Sequence, residues 1–285
     1  MFEPTEQELV ERISFQERVE RAIKLIKDNQ PENGYYLAFS GGKDSITARK
    51  LLDLACATYE AVYHVTTIDP PEQIYFLRKY YPDTKWDFPE HGNMMHRVAT
   101  SIHTPPTRNG RWCCEEYKER GGKGKVKVFG VRKAESKARA ARWNEIAYDQ
   151  FGDKCICPIA LWSDEQVWEF IRHYNMPYIS LYDEGWSRIG CVGCPLTSAE
   201  NQEREFKKWP RFEQNWRRAI IKHWELYHDR TSPRTGKKRF EHKFKSGEDL
   251  YQWWRTARLP DYIRGNCQSE LMWTNEPGMY DEEEV

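Results

Sequence analysis

The stretch from Tyr35 to Ala57 limits the possible folds of this chain more than any other. Tyr35 to Phe39 reads as a buried strand, and Ser45 to Ala57 as a helix with Ala48, Leu51, Leu52 and Ala55 on one face. Between them runs Ser40-Gly41-Gly42-Lys43-Asp44-Ser45, so a small glycine-centred turn joins a strand to a helix N-terminus. Unpaired N–H groups there, with the helix dipole behind them, form a site for phosphate or another anion. Gly41 and Gly42 let a bulky anion approach the backbone. Ser40 and Ser45 add hydroxyls, Lys43 adds a positive charge and Asp44 a contact for magnesium. The spacing is not the Walker A pattern, because Asp44 interrupts Lys-Ser and only Ser40 and Gly41 precede the Gly-Lys pair. An ordinary strand-to-helix turn is the plainer alternative.

The rest of the chain continues the alternation. A helix is predicted from about Thr5 to Lys27, followed by the strand at 35, a strand over Ala61–Thr67 and a helix from Pro71 to just before Pro82. A short strand at Thr84–Phe88, a helix over Met94–Ser101 and strands at Lys125–Val131 and Ile156–Ala160 come next. Ser163 and Gln166 form a capping box for a further helix. Strands alternating with helices imply right-handed crossovers and a parallel sheet, with ligands beyond the carboxyl ends of the strands, where Ser40–Ser45 falls. Four segments follow: an N-terminal helix in 1–33, an α/β domain over 34–198 that carries the Ser40–Ser45 loop and includes the paired cysteines, a helical region rich in basic and aromatic residues over 199–274, and a mobile acidic tail over 275–285.

Lys and Arg total 44 and Asp and Glu 44, so no global field recruits a polyanion. The distribution is uneven. Residues 117–142 hold ten basic against two acidic side chains, and residues 204–245 fourteen against five, a net +9. Such surfaces suit a nucleic acid or a phosphorylated ligand, the alternative being a solvated helix face. No apolar run is long enough for a membrane span and no signal-peptide core is present, so a soluble cytoplasmic protein without a membrane partner is expected. Eight cysteines then argue for metal or reactive thiols rather than a disulfide framework.

Cys113 and Cys114 are adjacent, and Cys191 and Cys194 form C-x-x-C followed by Pro195. Thiolates favour zinc or iron–sulfur clusters. Adjacent cysteines diverge and serve one tetrahedral zinc poorly, whereas a [4Fe–4S] cubane accepts both; four buried apolar thiols are the alternative. Cys56 is expected to be a core thiol, as is one of Cys155 and Cys157. His64 and His96 have no spaced partner that would make them ligands.

These features together resemble the phosphoadenosine phosphosulfate reductase-like branch of the PP-loop ATP pyrophosphatase superfamily. The resemblance rests on Ser40–Ser45, Arg111-Trp112-Cys113-Cys114, Gly130-Val131-Arg132 with Glu135-Ser136, Pro158–Asp164 and Arg188–Pro195, in order over residues 35–196. It implies a Rossmann-like, HUP-type parallel sheet flanked by helices with a helical C-terminal region. It also implies an adenine nucleotide held by Ser40 to Ser45, Gly130 and Arg132, with ATP and Mg²⁺ as substrate. Cys113, Cys114, Cys191 and Cys194 would hold a [4Fe–4S] cluster, either catalytic or structural. Lys43, Asp44, Arg132 and Glu135 are the catalytic candidates, Glu135 either holding Arg132 or acting as a catalytic carboxylate.

Sulfonucleotide reductases of this branch carry their nucleophile in a C-terminal Glu-Cys-Gly-Leu-His segment, which is absent here. Cys267 is the only cysteine near the C-terminus and its neighbours do not match. The intact Gly-Lys-Asp-Ser spelling looks more like the sulfur-inserting enzymes. It implies cleavage of ATP at the α-phosphate with pyrophosphate release, then sulfur transfer from a donor such as a cysteine desulfurase, with a nucleic acid among the acceptors. A sulfonucleotide reductase and a nucleotide-responsive DNA-binding regulator without catalysis are the alternatives.

Overall fold

A computed structural model describes residues 10, 12–231, 236, 240 and 244–258. The first described helix, α1 (Phe15–Asp28), starts at Ser14, whose hydroxyl accepts the Glu17 N–H while the Glu17 carboxylate accepts the Ser14 N–H at 2.8 Å. That capping box sets a helix start at Phe15, within the single helix expected from Thr5. Leu9, part of that expectation, lies outside the described residues. In chain order β1 (Tyr35–Ala38), α2 (Lys43–Leu54), β2 (Tyr59–His64), α3 (Pro71–Tyr80) and β3 (Lys85–Asp87) follow. Then come α4 (Met94–Thr100), α5 (Trp112–Tyr117), β4 (Lys127–Val128), α6 (Lys137–Arg142), β5 (Ile146–Tyr148), β6 (Lys154–Ile156) and α7 (Asp164–His173). The last three helices are α8 (Ala199–Lys208), α9 (Pro210–Tyr227) and α10 (Gly247–Thr256).

The chain divides into two compact units. The first comprises Met1–Val65, Asp69–Phe88 and Arg120–Ile189; the second comprises Thr66–Ile68, Pro89–Glu119 and Gly190–Val285. The four paired cysteines all belong to the second.

In the first unit six strands form one sheet in the order β3-β2-β1-β4-β6-β5. Every neighbouring pair is parallel except β5 with β6. The antiparallel edge strand β5 was not expected. It follows a short connection whose ordering depends on its partner, Cys157 donating its N–H to Glu145 O at 2.8 Å. The strand expected over Ile156–Ala160 stops at Ile156 because Pro158 has no N–H and the chain turns, Ala160 N–H reaching Cys157 O at 3.0 Å. The core is apolar and closed: Leu37, Ile46, Leu51, Leu52, Val128 and Phe170 are fully buried. Strand order reverses between β1 and β4, and the loops leaving their carboxyl ends are 39–42 and 129–132. That is the position where open α/β sheets bind ligands.

The second unit is helical, around Val98, Tyr117, Phe206, Trp216, Ile220 and Leu250. Trp216 stacks on Trp254 with ring centroids 4.6 Å apart, so these two aromatics of the helical region are core. Cys56 departs from expectation: it is exposed, with φ 54° just past α2, while Cys155 and Cys157 are both fully buried. No described helix is long and apolar enough to cross a membrane.

Candidate functional site: an anion loop and a cysteine quartet

Helix α2 begins at Lys43, two residues earlier than the apolar spacing suggests, with Gly42 as N-cap and no side chain capping it. Lys43, Asp44 and Ser45 therefore form the first turn, where N–H groups are unpaired by the helix itself. Gly41 has φ +77°, and a Cβ there would stand 2.8 Å from Leu77 Cδ2, so both backbone angle and packing require glycine. Gln73 on α3 donates to Ser40 O at 2.8 Å, fixing the start of the loop. Ser45 Oγ donates to Gly42 O at 2.9 Å and lies 3.2 Å from Ser40 Oγ, closing the loop on itself.

The loop after β4 meets this turn through Gly130. A Cβ on Gly130 would sit 2.5 Å from Asp44 O and 2.8 Å from Ser45 N. Only glycine permits that approach, and it delivers Arg132. Arg132 is 3% exposed; its Nε donates to Asp44 Oδ1 at 2.5 Å and its Nη2 to Asp164 Oδ1 at 2.8 Å. Lys43 Nζ lies 3.2 Å from Asp44 Oδ2 and 3.1 Å from Asp164 Oδ1. Two buried cations and two carboxylates thus form one four-membered network. Burial works against the Arg132 charge, but Asp44, with Asp164 and Glu135 adding to it, holds the guanidinium above its ordinary value.

Of the residues expected to act, Lys43, Asp44 and Arg132 are brought together and Glu135 is not. The Glu135 carboxylate accepts the Arg132 backbone N–H at 3.1 Å and pairs with Arg139, so it braces the loop without reaching the Arg132 guanidinium.

Two further residues enter that sequence reasoning did not place here. Asp164 arrives because the Ser163 capping box starts α7 beside Arg132; the box was legible, its neighbour was not. Tyr182 accepts the Lys43 backbone N–H on its hydroxyl at 3.0 Å, and burial pushes its own pKa far up. Nothing in the sequence around Tyr182 marks it.

Five of the ten cations in residues 117–142 are held in ion pairs. Lys127 is buried between Asp149 and Asp153, Arg120 pairs with Asp87 at 2.9 Å, Lys125 with Glu60 at 3.4 Å, and Arg132 and Arg139 are paired as described. His64 is structural, its Nε2 2.7 Å from Tyr36 Oη and its Nδ1 2.7 Å from Asp87 Oδ2 but poorly aligned for a hydrogen bond.

In the second unit, Cys113 and Cys114 sit in the first turn of α5, held by the Arg97–Glu116 pair at 2.8 and 2.6 Å and by Trp112 Nε1 on Thr104 O at 3.0 Å. The Cys191–Cys194 loop is pinned by Val192 N–H on Ile68 O at 2.8 Å, Gly193 N–H on Glu205 Oε2 at 2.7 Å and Trp216 Nε1 on Val192 O at 2.9 Å. All four thiols are partly buried and in no disulfide. They are electrostatic neighbours: Cys113 is pushed up by its hydrogen bond to Cys114 and by burial, with Cys191 and Cys194 adding to the effect. Cys114 is lowered to about 6, because Cys113 donates to it and Arg111 and Lys118 favour its thiolate. Among the described residues no group of three or more His, Cys, Asp or Glu is placed to hold a metal ion. Of the four thiols, Cys114 is the one whose thiolate its surroundings favour. Cys267 lies outside the described residues.

The first unit is thus a mostly parallel α/β sheet protein with a glycine-rich strand-to-helix loop at its topological switch point. The chain belongs to the phosphoadenosine phosphosulfate reductase domain family, whose profile matches residues 34–197. It is 30% identical over 87 residues to the adenosine 5'-phosphosulfate reductase of Staphylococcus haemolyticus, covering 30% of this chain and 35% of that protein. With the adenosine 5'-phosphosulfate reductase of Allochromatium vinosum it shares 35% over 85 residues, 29% of this chain and 32% of the other. The chain spans about a third of the length of these curated relatives. Among solved structures, phosphoadenylyl-sulfate reductase from Candida auris superposes with a TM-score of 0.47 at 15% identity, over 67% of this chain and 97% of that one.

Proposed function

We propose that this chain is an adenine-nucleotide enzyme of its family in which the Ser40–Ser45 loop binds Mg²⁺-ATP and directs cleavage at the α-phosphate with release of pyrophosphate, coupled to sulfur transfer. The observation that carries this reading is the four-membered network of Lys43, Arg132, Asp44 and Asp164. A bare anion entering it would gain two cations but face two carboxylates. A magnesium–polyphosphate complex satisfies both halves, phosphate oxygens replacing the carboxylates on Lys43 and Arg132 and the carboxylates turning to the metal. Magnesium held by phosphates and one or two carboxylates needs no larger protein donor group. Such a step requires charge stabilisation at the phosphates more than a protein nucleophile. Lys43 and Arg132 would neutralise charge building on the leaving pyrophosphate, with Gly42 leaving room for its oxygens.

Cys113, Cys114, Cys191 and Cys194 would hold a [4Fe–4S] cluster in this reading. Bound there, it would supply a site that binds or delivers sulfide. The chain's own part is to keep thiolate character at that place, through Arg111 and Lys118 beside Cys114.

The names of the curated relatives favour a second reading, reduction of a sulfonucleotide. One experiment separates the two. Protein prepared and reconstituted without oxygen is given ATP, and pyrophosphate is measured; a parallel sample receives adenosine phosphosulfate with a thiol reductant, and sulfite is measured. The expected result is pyrophosphate release that falls about 100-fold or more in Lys43→Ala and Asp44→Ala. Absence of release, or release indifferent to both substitutions, refutes the ATP reading. Sulfite formation lost in Cys267→Ser establishes the second.

A further inference from the structure

The second unit contains a groove that neither the anion loop nor the cysteines use. It has a volume of about 370 Å³ and runs between α4 and the middle of α9. Its floor is apolar, from Ile68, Ala99 and Ala219, and Met95 and Phe212 stand at its sides. Its polar lining is Thr67, Asn93, His96, Asn215, Arg218 and Lys222, with no carboxylate among the lining residues. The chain as a whole is balanced, so an acid-free cavity lined by two permanent cations is a local feature.

The cations are also arranged. Arg211, Asn215, Arg218 and Lys222 recur at four, three and four residues on α9, which places them on one face. From Arg211 to Lys222 the ladder is about 16 Å long at the helical rise. Arg211 and Arg218 are exposed, and neither has an ion-pair partner among the described residues. Lys222 lies 3.1 Å from Glu225, an exposed pair of the kind an anion readily displaces. By contrast Arg217, one position off this face, is tied to Glu248 at 2.8 Å. In the groove itself Arg218 is thus unpaired and Lys222 only weakly held, while Arg211 extends the same face beyond it.

A row of cations longer than one phosphate, with an aromatic ring and two side-chain amides beside an apolar floor, matches a strand of linked nucleotides whose bases are unpaired. Each base offers a flat face to Phe212 and hydrogen-bonding edges to Asn93 and Asn215, while successive phosphates take Arg211, Arg218 and Lys222. We propose that the α4–α9 groove is a binding site for single-stranded nucleic acid, with Arg218 and Lys222 on the phosphates and Phe212 against a base. The site does not depend on ATP cleavage at the Ser40 loop, and it is tested without nucleotide so that either proposal can fail alone.

The test is fluorescence anisotropy of the full chain with a labelled fifteen-residue oligothymidylate over a series of salt concentrations. Wild-type protein is expected to bind with an affinity that falls steeply with salt. Arg218→Ala with Lys222→Ala is expected to bind about tenfold or more weakly, with the slope of log affinity against log salt shallower by about 1.4, two phosphate contacts at about 0.7 each. Phe212→Leu is expected to weaken binding several-fold or more with the salt slope unchanged. Because Phe212 is half-buried, Arg218→Glu on the exposed face gives a second variant free of packing effects, expected to bind more weakly than wild type. Lys24→Ala, exposed in the first unit, should bind as wild type. No salt-dependent binding, unchanged affinity in the Arg218/Lys222 variant, tighter binding of the matching duplex, or displacement by AMP as effective as by unlabelled oligonucleotide would each overturn the assignment.

Discussion

Replacing Gly130 by alanine tests how the anion loop is built, because the added methyl has one place to go and that place is backbone. The new Cβ would lie 2.5 Å from Asp44 O, 2.6 Å from Asp44 C and 2.8 Å from Ser45 N. Ordinary contact requires about 3.4 Å or more, so the 129–132 loop and the first turn of α2 must separate by roughly 0.9 Å. No flexible side chain can absorb that shift. Overpacking of this kind costs about 1–3 kcal/mol. The separation falls on the Arg132–Asp44 contact of 2.5 Å, stretching it past good hydrogen-bond length while both groups stay largely buried. Nucleotide affinity should therefore fall more than stability does. The measurement is a pair of titrations: urea unfolding followed by tryptophan fluorescence, and Mg²⁺-ATP binding by calorimetry. A lowered urea midpoint together with at least about tenfold weaker ATP binding is expected. Wild-type behaviour in both would show that Gly130 does not set the distance between the two loops, and the account of the site would fall with it.

Gly193→Ala should loosen the cysteine loop, since its φ of +75° is left-handed and its Cβ would stand 2.6 Å from Trp216 Nε1 and 2.7 Å from Phe206 Cζ. The expected outcome is faster modification of Cys191 and Cys194 by a thiol reagent, read by mass spectrometry against wild type; an unchanged rate would show the loop is held by something else. For His64, burial lowers the imidazole pKa below its usual 6.5, with Asp87 offsetting only part of it. The stability it contributes is fully present above about pH 6.5 and is lost as pH falls through the depressed native value. Urea midpoints should drop between pH 7.5 and pH 5, and His64→Gln should shrink that drop; an equal drop in the variant would assign the acid sensitivity elsewhere.

Much of the first unit could be read from the chain, because the signals involved are local. The apolar run at 35–39, the glycine pair and the helical spacing after it are properties of adjacent residues, and they placed strand, turn and helix within a few positions. The capping box at Ser163–Gln166 was legible for the same reason, four residues sufficing to satisfy two end donors. The Ser14–Glu17 box is of the same kind and sets the start of α1 at Phe15, although the apolar spacing runs on through Ile13 without marking it.

What escaped sequence reading depended on neighbours distant in the chain. Asp164 became part of the anion site because the sheet order puts α7 beside Arg132, and no spacing between residues 132 and 164 announces a 2.8 Å contact. Tyr182 reaches the Lys43 amide across 139 residues. The ten cations of 117–142 looked like a surface on charge alone, yet Lys127 is 2% exposed between two aspartates that the β4–β6 pairing brings to it. The sequence by itself determined the parallel α/β unit, the glycine turn at a helix start and the family to which the chain belongs, since those rest on patterns of near neighbours. Only the tertiary structure decided which charges are paired, which thiols share an environment and where two cations line a groove free of carboxylates, because charge pairing and burial are set by what the fold brings alongside.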